Sequence, residues 1–444
     1  MTFQPLVSKK HLHLLNSFLG FLVLAASLLW GMNNIAQRMK LDYHSPYDEH
    51  THFDYWYKIY HWNKVPAVYE RIDNRSLEIW ACGSSPVVMQ GMTCSPSGKI
   101  ENNGWSIENT ASSYLPTYYL VTAWVSRAVK ALVPTDNDFQ LAKLTNMVWG
   151  FVGLLLVALL AMHLGVPPLL AAMLVAVTAQ APIYVYMATV FNPEVFVLVA
   201  VLLGLYVYVR FLYPLKNQAV FLVCASLLSA LVLSVKPTAL LLVVILGVSE
   251  LLRTPLSWRQ RWLRVLIYGL GTALIYAAMV IAINSWRGES PSDGVMREML
   301  VNQIGDRSFA VNMNMVYTQF TRSTASPNWR TLVEWKLPHA FMYLPSYVIA
   351  LSGLSLVYLV FVLTKGVAVT RQAALFAGSA LACVVLPLFL YIYLRLTHFP
   401  FFFQARYFLP YLVTCALLGT AFVVSVFQQA VSWHRSPARP AFHG

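Results

Sequence analysis

The residues best suited to chemistry form one cluster at Asp48–Asp54, with the sequence Asp-Glu-His-Thr-His-Phe-Asp. Three carboxylates and two imidazoles within seven residues exceed what a solvated turn requires. A carboxylate here is suited to act as a general base that takes a proton from an acceptor hydroxyl. Metal ligation and a purely polar loop beside lipid headgroups remain open as alternatives. The zinc pattern His-Glu-x-x-His is not met, because Asp48 occupies its first position.

A second set of polar residues lies at the edges of long apolar segments, where ionisable groups are costly and therefore candidates for function. We predict that three cations of this set, Lys236, Arg395 and Arg406, hold a phosphate group together with His398, the arginines through their forked donors. The alternative for each is snorkelling, with an apolar stem in lipid and a charged head in water. The remaining candidates of this set are Asn192, Glu194, Gln404 and Tyr407.

The elements that must position these residues are membrane helices. The chain has 444 residues, of which 58% are hydrophobic and 11% are charged, against roughly 25% charged in an average soluble domain. About ten segments approach the ~20 apolar residues that cross a bilayer. We predict an all-α polytopic membrane protein that forms a single transmembrane domain over 1–444. The predicted spans are 14–37, 139–162, 168–189, 194–213, 218–235, 237–252, 262–284, 341–364, 372–396 and 406–429.

The distribution of charge predicts the orientation. With ten spans and a cytoplasmic amino terminus, the short cytoplasmic segments hold 12 of the 31 Lys and Arg residues, as the positive-inside rule expects. Of the 18 carboxylates only Glu250 falls inside, which leaves 17 on the outer side or at its rim. The net charge of +13 is thereby explained without nucleic acid. We predict a bacterial inner-membrane protein with both termini cytoplasmic and a periplasmic site.

Two outer loops are large, at 38–138 and 285–340. In the first, the aromatic run at 55–62 is typical of the headgroup level, and 114–132 has the periodicity of an interfacial helix. Polar helices are expected at 293–303 and 309–322 in the second. Cys82 and Cys94 share the first loop, and an oxidising compartment favours a disulfide between them.

The order of the motifs resembles the C-type superfamily of membrane glycosyltransferases, GT-C, and within it the arabinofuranosyltransferases and bacterial proteins with a first-loop Asp-Glu-x-x-His-Phe motif. Asp48–Phe53 fits that motif, although the proline that usually precedes the acids is displaced to Pro46. Four further elements follow in the family's order, with Thr117 and Glu194 departing from it. They are Leu115–Tyr119 with Tyr118, Asn192–Glu194, Lys236–Thr238, and Gln404–Pro410 with Arg406 and Tyr407.

The resemblance implies that Asp48 or Glu49 is the catalytic base or orients the acceptor, with His52 and Asp54 orienting the acceptor or the loop. It implies that basic residues near the later spans grip the phosphate of a polyprenyl-phosphate sugar, which is the donor substrate. The cavity would be lined by Tyr118, Asn192, Glu194, Gln404 and Tyr407. No cofactor or metal is expected, and the partners are the bilayer, the lipid-linked sugar and a periplasmic protein or glycan acceptor.

Two other classes compete with the glycosyltransferase hypothesis. A flippase of lipid-linked sugars is expected to show repeats and paired broken helices near the midplane, and the sequence predicts neither. A polysaccharide polymerase or ligase would use lipid donors too, and the sequence does not separate it from a transferase. The chain has no glycine-rich phosphate loop after a strand, which is consistent with a lipid phosphate rather than a nucleotide as the leaving group.

Overall fold

The computed structural model describes residues 9–39, 48–82, 92–94, 100–102, 108–253, 256–287, 357, 369–397 and 405–435. The predicted span at 341–364, apart from residue 357, and the helices predicted at 293–303 and 309–322 lie outside these residues. The described helices are α1 (Lys9–Arg38), α2 (Glu49–Trp62), α3 (Asn74–Ala81), α4 (Thr117–Leu132), α5 (Asp138–His163), α6 (Pro168–Gln180), α7 (Pro182–Thr189), α8 (Glu194–Val207), α9 (Gln218–Leu233), α10 (Leu240–Leu251), α11 (Trp258–Arg287), α12 (Arg371–Thr397) and α13 (Leu409–Arg435).

Short elements complete these helices. A π-helical turn at Tyr208–Leu212 extends α8. Three 3-10 turns lie at Thr110–Ser113, Pro237–Ala239 and Ala405–Phe408, and each directly precedes or closely approaches the start of a helix. Two three-residue strands, β1 (Met92–Cys94) and β2 (Ile100–Asn102), pair antiparallel within the first loop.

The protein is an α-helical membrane protein by the length and apolarity of its helices. Five described helices can cross a bilayer, or six if the bent pair α6–α7 forms one span. The third predicted span is not continuous: α6 and α7 meet at a bend of 66°. Pro182, the first residue of α7, lacks the N–H that would continue the α6 hydrogen bonds. At 16 and 12 residues, α9 and α10 are each shorter than a typical span.

Packing orders the helices around a continuous apolar core. α1 packs on α6, α5 on α8, α9 on α11, and α10 on α12, while α13 lies against both α8 and α12. The α10–α12 contact is close enough to require glycine: a Cβ on Gly378 would lie 2.7 Å from the Cα of Ile245. The starts of α2, α8, α10 and α13 meet at one end of the bundle, which we call the motif end. The ends of α5, α8 and α10 and the starts of α11 and α12 meet at the other, the arginine end.

Most of the aromatic run of the first loop is buried inside the protein, and its place at the headgroup level stays a prediction. Tyr55, Trp56 and Tyr57 are at most 2% exposed. The cause is the packing of α2 against α4, with the Tyr55 and Tyr119 rings stacked at 3.9 Å. The helix predicted near 114–132 is present as α4, and its outer face exposes Trp124. Its place in the bilayer interface stays a prediction.

Candidate functional site

The two adjacent acids lie at the start of α2, not in an extended loop. Asp48 precedes the helix with a left-handed backbone (φ 55°), a conformation that Asp adopts more readily than most residues. Glu49 is the first helical residue and is fully buried, whereas Asp48 is partly exposed. The Oε1 atom of Glu49 accepts a hydrogen bond of 2.6 Å from the backbone N–H of Phe191. The two carboxylates therefore have different surroundings.

Glu49 thereby connects the first loop to the turn between α7 and α8. Asn146 of α5 holds the same turn from the other side, because its Nδ2 donates to the carbonyls of Met187 (2.8 Å) and Val190 (2.6 Å). Within the turn, Asn192 Oδ1 accepts from the N–H of Glu194 at 3.1 Å. The amide nitrogen of Asn192 is buried without a hydrogen-bond partner among the described residues. This turn therefore contains a buried donor whose hydrogen bond is not made within the described residues.

Lys236 and Glu194 form a buried ion pair at the motif end. Lys236 is 1% exposed, Glu194 is fully buried, and Lys236 Nζ donates to Glu194 Oε1. The ammonium group also lies 5.0 Å from the ring centroid of Tyr114 and 4.7 Å from that of Tyr407. Aromatic faces attract a cation at these distances. Motifs that are far apart in sequence, 192–194, 236–238 and 404–410, thus meet around one charge.

A cavity of about 340 Å³ opens beside Lys236. Apart from this lysine, its polar wall is made of hydroxyl and amide groups from the first loop, α9 and α11. Rings and neutral hydrogen-bonding groups of this kind suit an uncharged polar ligand next to an anion. The polar lining residues are Tyr69, Ser113, Tyr114, Ser234, Tyr276 and Asn284.

His52 and Tyr118 belong to the buried aromatic layer behind the acids. His52 Nδ1 is 2.7 Å from the hydroxyl of Tyr119 and its ring stacks on that residue. Tyr118 donates to Asn146 Oδ1 at 3.1 Å. Burial raises the pKa of the Tyr118 and Tyr119 phenols well above the ordinary value, and the nearby Glu49 raises the pKa of Tyr118 further. Both phenols are therefore neutral donors near pH 7.

Asp54 serves the architecture of the first loop. Its buried carboxylate accepts from the Asp73 N–H (2.9 Å), Ser76 Oγ (2.7 Å) and Asn109 Nδ2 (2.7 Å). Lys58 Nζ lies 3.0 Å away as an ion-pair partner. These contacts use the acceptor positions of both oxygens, so the loop-orienting role is the one that the geometry supports.

Sequence reasoning missed Arg287, the last residue of α11. Its guanidinium donates to the Ser112 carbonyl (2.6 Å), the Tyr114 carbonyl and the Tyr55 hydroxyl. Arg287 thereby fixes the segment that carries the ring of Tyr114 over Lys236. The signal that would have found it is a cation just beyond the carboxyl-terminal end of the seventh predicted span.

Lys143 was missed as well. It is fully buried in the second turn of α5, with Nζ 5.5 Å from the Phe139 ring centroid. A lysine inside an apolar span is the signal that sequence reasoning overlooked.

Several predicted residues cannot be placed. His398 and Gln404 lie outside the described residues, as do the side chains of Arg395 and Arg406. Cys82 is disulfide-bonded, and since the side chain of Cys94 is outside the description, their pairing stays a prediction. Within the described part of the chain, no three His, Cys, Asp or Glu side chains form a metal-binding group. Neither a protein-family model nor a curated protein sequence matches the chain.

Proposed function

We propose that this chain is a membrane glycosyltransferase of the GT-C type, which moves a sugar from a polyprenyl phosphate to a hydroxyl acceptor at the outer face of a bacterial inner membrane. The proposal includes about ten spans, with the motif end periplasmic. One observation supports it most directly. The ammonium group of Lys236, which lies over an aromatic ring, is on the wall of a cavity of about 340 Å³, at the same end of the bundle as Asp48 and Glu49.

In the proposed reaction the bond between the sugar and the phosphate oxygen breaks as the acceptor oxygen bonds to the same sugar carbon. The phosphate leaves with the added electron pair, and Lys236 offsets that charge through its ammonium donors. The acceptor loses its proton to a carboxylate. The partly exposed position of Asp48 favours it as the base, and the bond from Phe191 favours Glu49 as a positioning residue.

The proposal is tested with the full-length protein in nanodiscs that contain a panel of polyprenyl-phosphate sugars. Release of the polyprenyl phosphate and glycosylation of acceptors are followed by mass spectrometry. We expect transfer by the wild type and at least a hundredfold less by Asp48→Asn, in the range that general-base catalysis contributes. The matched control is Asp73→Asn, an acid that caps α3 away from the cavity. Equal transfer by wild type and Asp48→Asn would contradict the proposed base.

One observation favours the transporter as a second candidate. The 66° break between α6 and α7 is of the kind that forms substrate sites in carriers. A flippase would move lipid-linked sugar across proteoliposomes without cleaving the sugar–phosphate bond. Translocation of intact donor, with no acceptor glycosylated, would replace the transferase proposal.

A further inference from the structure

The arginine end of the bundle holds a row of stacked cations, which we call the arginine row. Arg371, the first residue of α12, lies 5.5 Å from the Tyr213 ring centroid, and Arg253 lies 4.9 Å from the same ring. Arg253 also lies 5.5 Å from the ring centroid of Phe221, and Arg264 lies 5.4 Å from it. Three guanidinium groups therefore alternate with two rings across α10, α11 and α12.

The inner part of the arginine row is partly neutralised. Glu250, which is 1% exposed, is 3.1 Å from Arg253 and 2.8 Å from Arg264, and Tyr208 donates to it at 3.2 Å. These contacts hold one carboxylate between two arginines. The buried part of the row therefore carries one excess positive charge, and the cations at the open end add to it.

The open end brings further cations together. The end of α5 lies between two of them: the His163 ring is 5.5 Å from the ring of Tyr206, one turn before Arg210, and Gln372, next to Arg371, donates to the Leu164 carbonyl at 3.3 Å. Neither Arg210 nor Arg371 has an ion pair with any of the residues that the structure describes. With Arg253 and Arg264 these make four arginines, and Glu250 is the one carboxylate paired with any of them among the described residues, so 4 − 1 leaves an excess of three positive charges. Like charges that lie close together repel one another unless an anion lies between them.

The side chains around Arg210 indicate which anion would bind here. Phe211, next to Arg210, is 58% exposed, and Leu203 of α8 is 48% exposed, so exposed apolar side chains lie beside Arg210 on the same helix. A ligand that fits both the excess positive charge and the exposed apolar side chains has a phosphate group beside a hydrocarbon chain. We propose that Arg210 and Arg371, the latter lying over the Tyr213 ring, bind the headgroup phosphate of an anionic phospholipid. This inference does not depend on the proposed transferase activity.

The test is native mass spectrometry of the purified full-length protein, titrated with phosphatidylglycerol or phosphatidylethanolamine. We expect the wild type to retain phosphatidylglycerol about tenfold better. The double variant R210Q/R371Q should abolish that preference, because removing one guanidinium–phosphate hydrogen bond lowers affinity by about tenfold. The matched control is K216Q/R259Q, which removes two exposed cations from the same end of the bundle.

Three results would overturn the proposal. One is an equal fall in preference in the control, which would mean that bulk charge alone attracts the lipid. Another is a wild type that does not discriminate between the two lipids. The third is displacement of phosphatidylglycerol by an equal concentration of inorganic phosphate, which would make free phosphate the ligand.

A second variant keeps the test decisive if R210Q/R371Q fails to fold. R210K/R371K retains both charges and removes the forked donors. We expect its preference for phosphatidylglycerol to be weaker than that of the wild type but still measurable. An unchanged preference would refute a role for the fork.

Discussion

At the scale of single residues, substitutions in the buried pair Lys236–Glu194 distinguish an effect on stability from an effect on donor binding. Removing one partner leaves a charge buried and uncompensated, which costs roughly 3–5 kcal/mol, whereas replacing both by apolar residues is often neutral. We therefore expect Lys236→Met to lower the thermal unfolding midpoint strongly, and Lys236→Met with Glu194→Leu to restore much of it. Donor binding, measured with a fluorescent polyprenyl phosphate, should be abolished in both. Recovery of binding in the double variant would exclude Lys236 as the phosphate ligand.

Substitutions of the adjacent acids Asp48 and Glu49 should likewise have different effects on stability and on transfer. Glu49→Gln weakens a charge-assisted hydrogen bond to the Phe191 N–H, and bonds to charged groups are worth about 1.5–3 kcal/mol. We expect Glu49→Gln to destabilise the protein and reduce transfer in part, and Asp48→Asn to leave the unfolding midpoint unchanged while abolishing transfer. Thermal unfolding and single-turnover transfer measured on the same samples check both. Abolished transfer in Glu49→Gln with full activity in Asp48→Asn would reverse the assignment.

Among the helices and loops, α11 and the first loop are joined through Arg287. Its three hydrogen bonds fix the segment Ser112–Tyr114, so Arg287→Ala should release this segment and move the Tyr114 ring away from Lys236. We expect faster amide exchange at residues 112–114 and weaker donor binding, with the rest of the bundle unchanged. Arg259→Ala, an exposed arginine on the same helix, is the control. Unchanged exchange at 112–114 would show that α11 does not hold the loop.

The carboxylate of Glu70, in the segment after α2, makes the stability of the protein depend on pH. Burial alone would raise the pKa of Glu70, but hydrogen bonds from Lys64 and from the Ala67 N–H, together with the charge of Lys58, lower it overall. A lowered pKa gives stability that is present above the unfolded value of 4.5 and is lost as pH falls through the folded value. We expect Glu70→Gln to unfold at a lower temperature than the wild type at pH 7, and the gap to narrow at pH 3.5. An equal gap at both pH values would contradict this linkage.

Across the molecule, the two ends of the bundle differ in charge. The motif end buries one lysine against one glutamate, and the arginine end holds the excess cations. The positive-inside rule then predicts that the arginine end is cytoplasmic. Reporter fusions at residues 215 and 258 should signal from the cytoplasm, and fusions at residue 100 from the outer compartment. A cytoplasmic signal at residue 100 would invert the bundle and place the proposed site on the wrong side.

The amino-acid sequence was enough to predict the class of protein and most of its helices, because long apolar runs have few other stable states in water or lipid. It also indicated which residues are candidates: Asn192, Glu194, Lys236 and Tyr407 stand out where polar groups meet apolar segments. Sequence patterns could not foresee the break at Pro182 within an apolar run that reads as one span, or the burial of Tyr55–Tyr57.

Which candidates meet depends on the tertiary structure. Lys236 lies 42 positions from Glu194, and its neighbour Tyr407 comes from the far end of the chain, so no local periodicity links them. The same holds for Glu49, whose buried partner is the N–H of Phe191, and for Arg287, which reaches back to Tyr114. Periodicity reports the face that a helix buries. The partner of a buried charge is set by how helices cross, and the cost of an unpaired charge in a low-dielectric interior makes that partner specific.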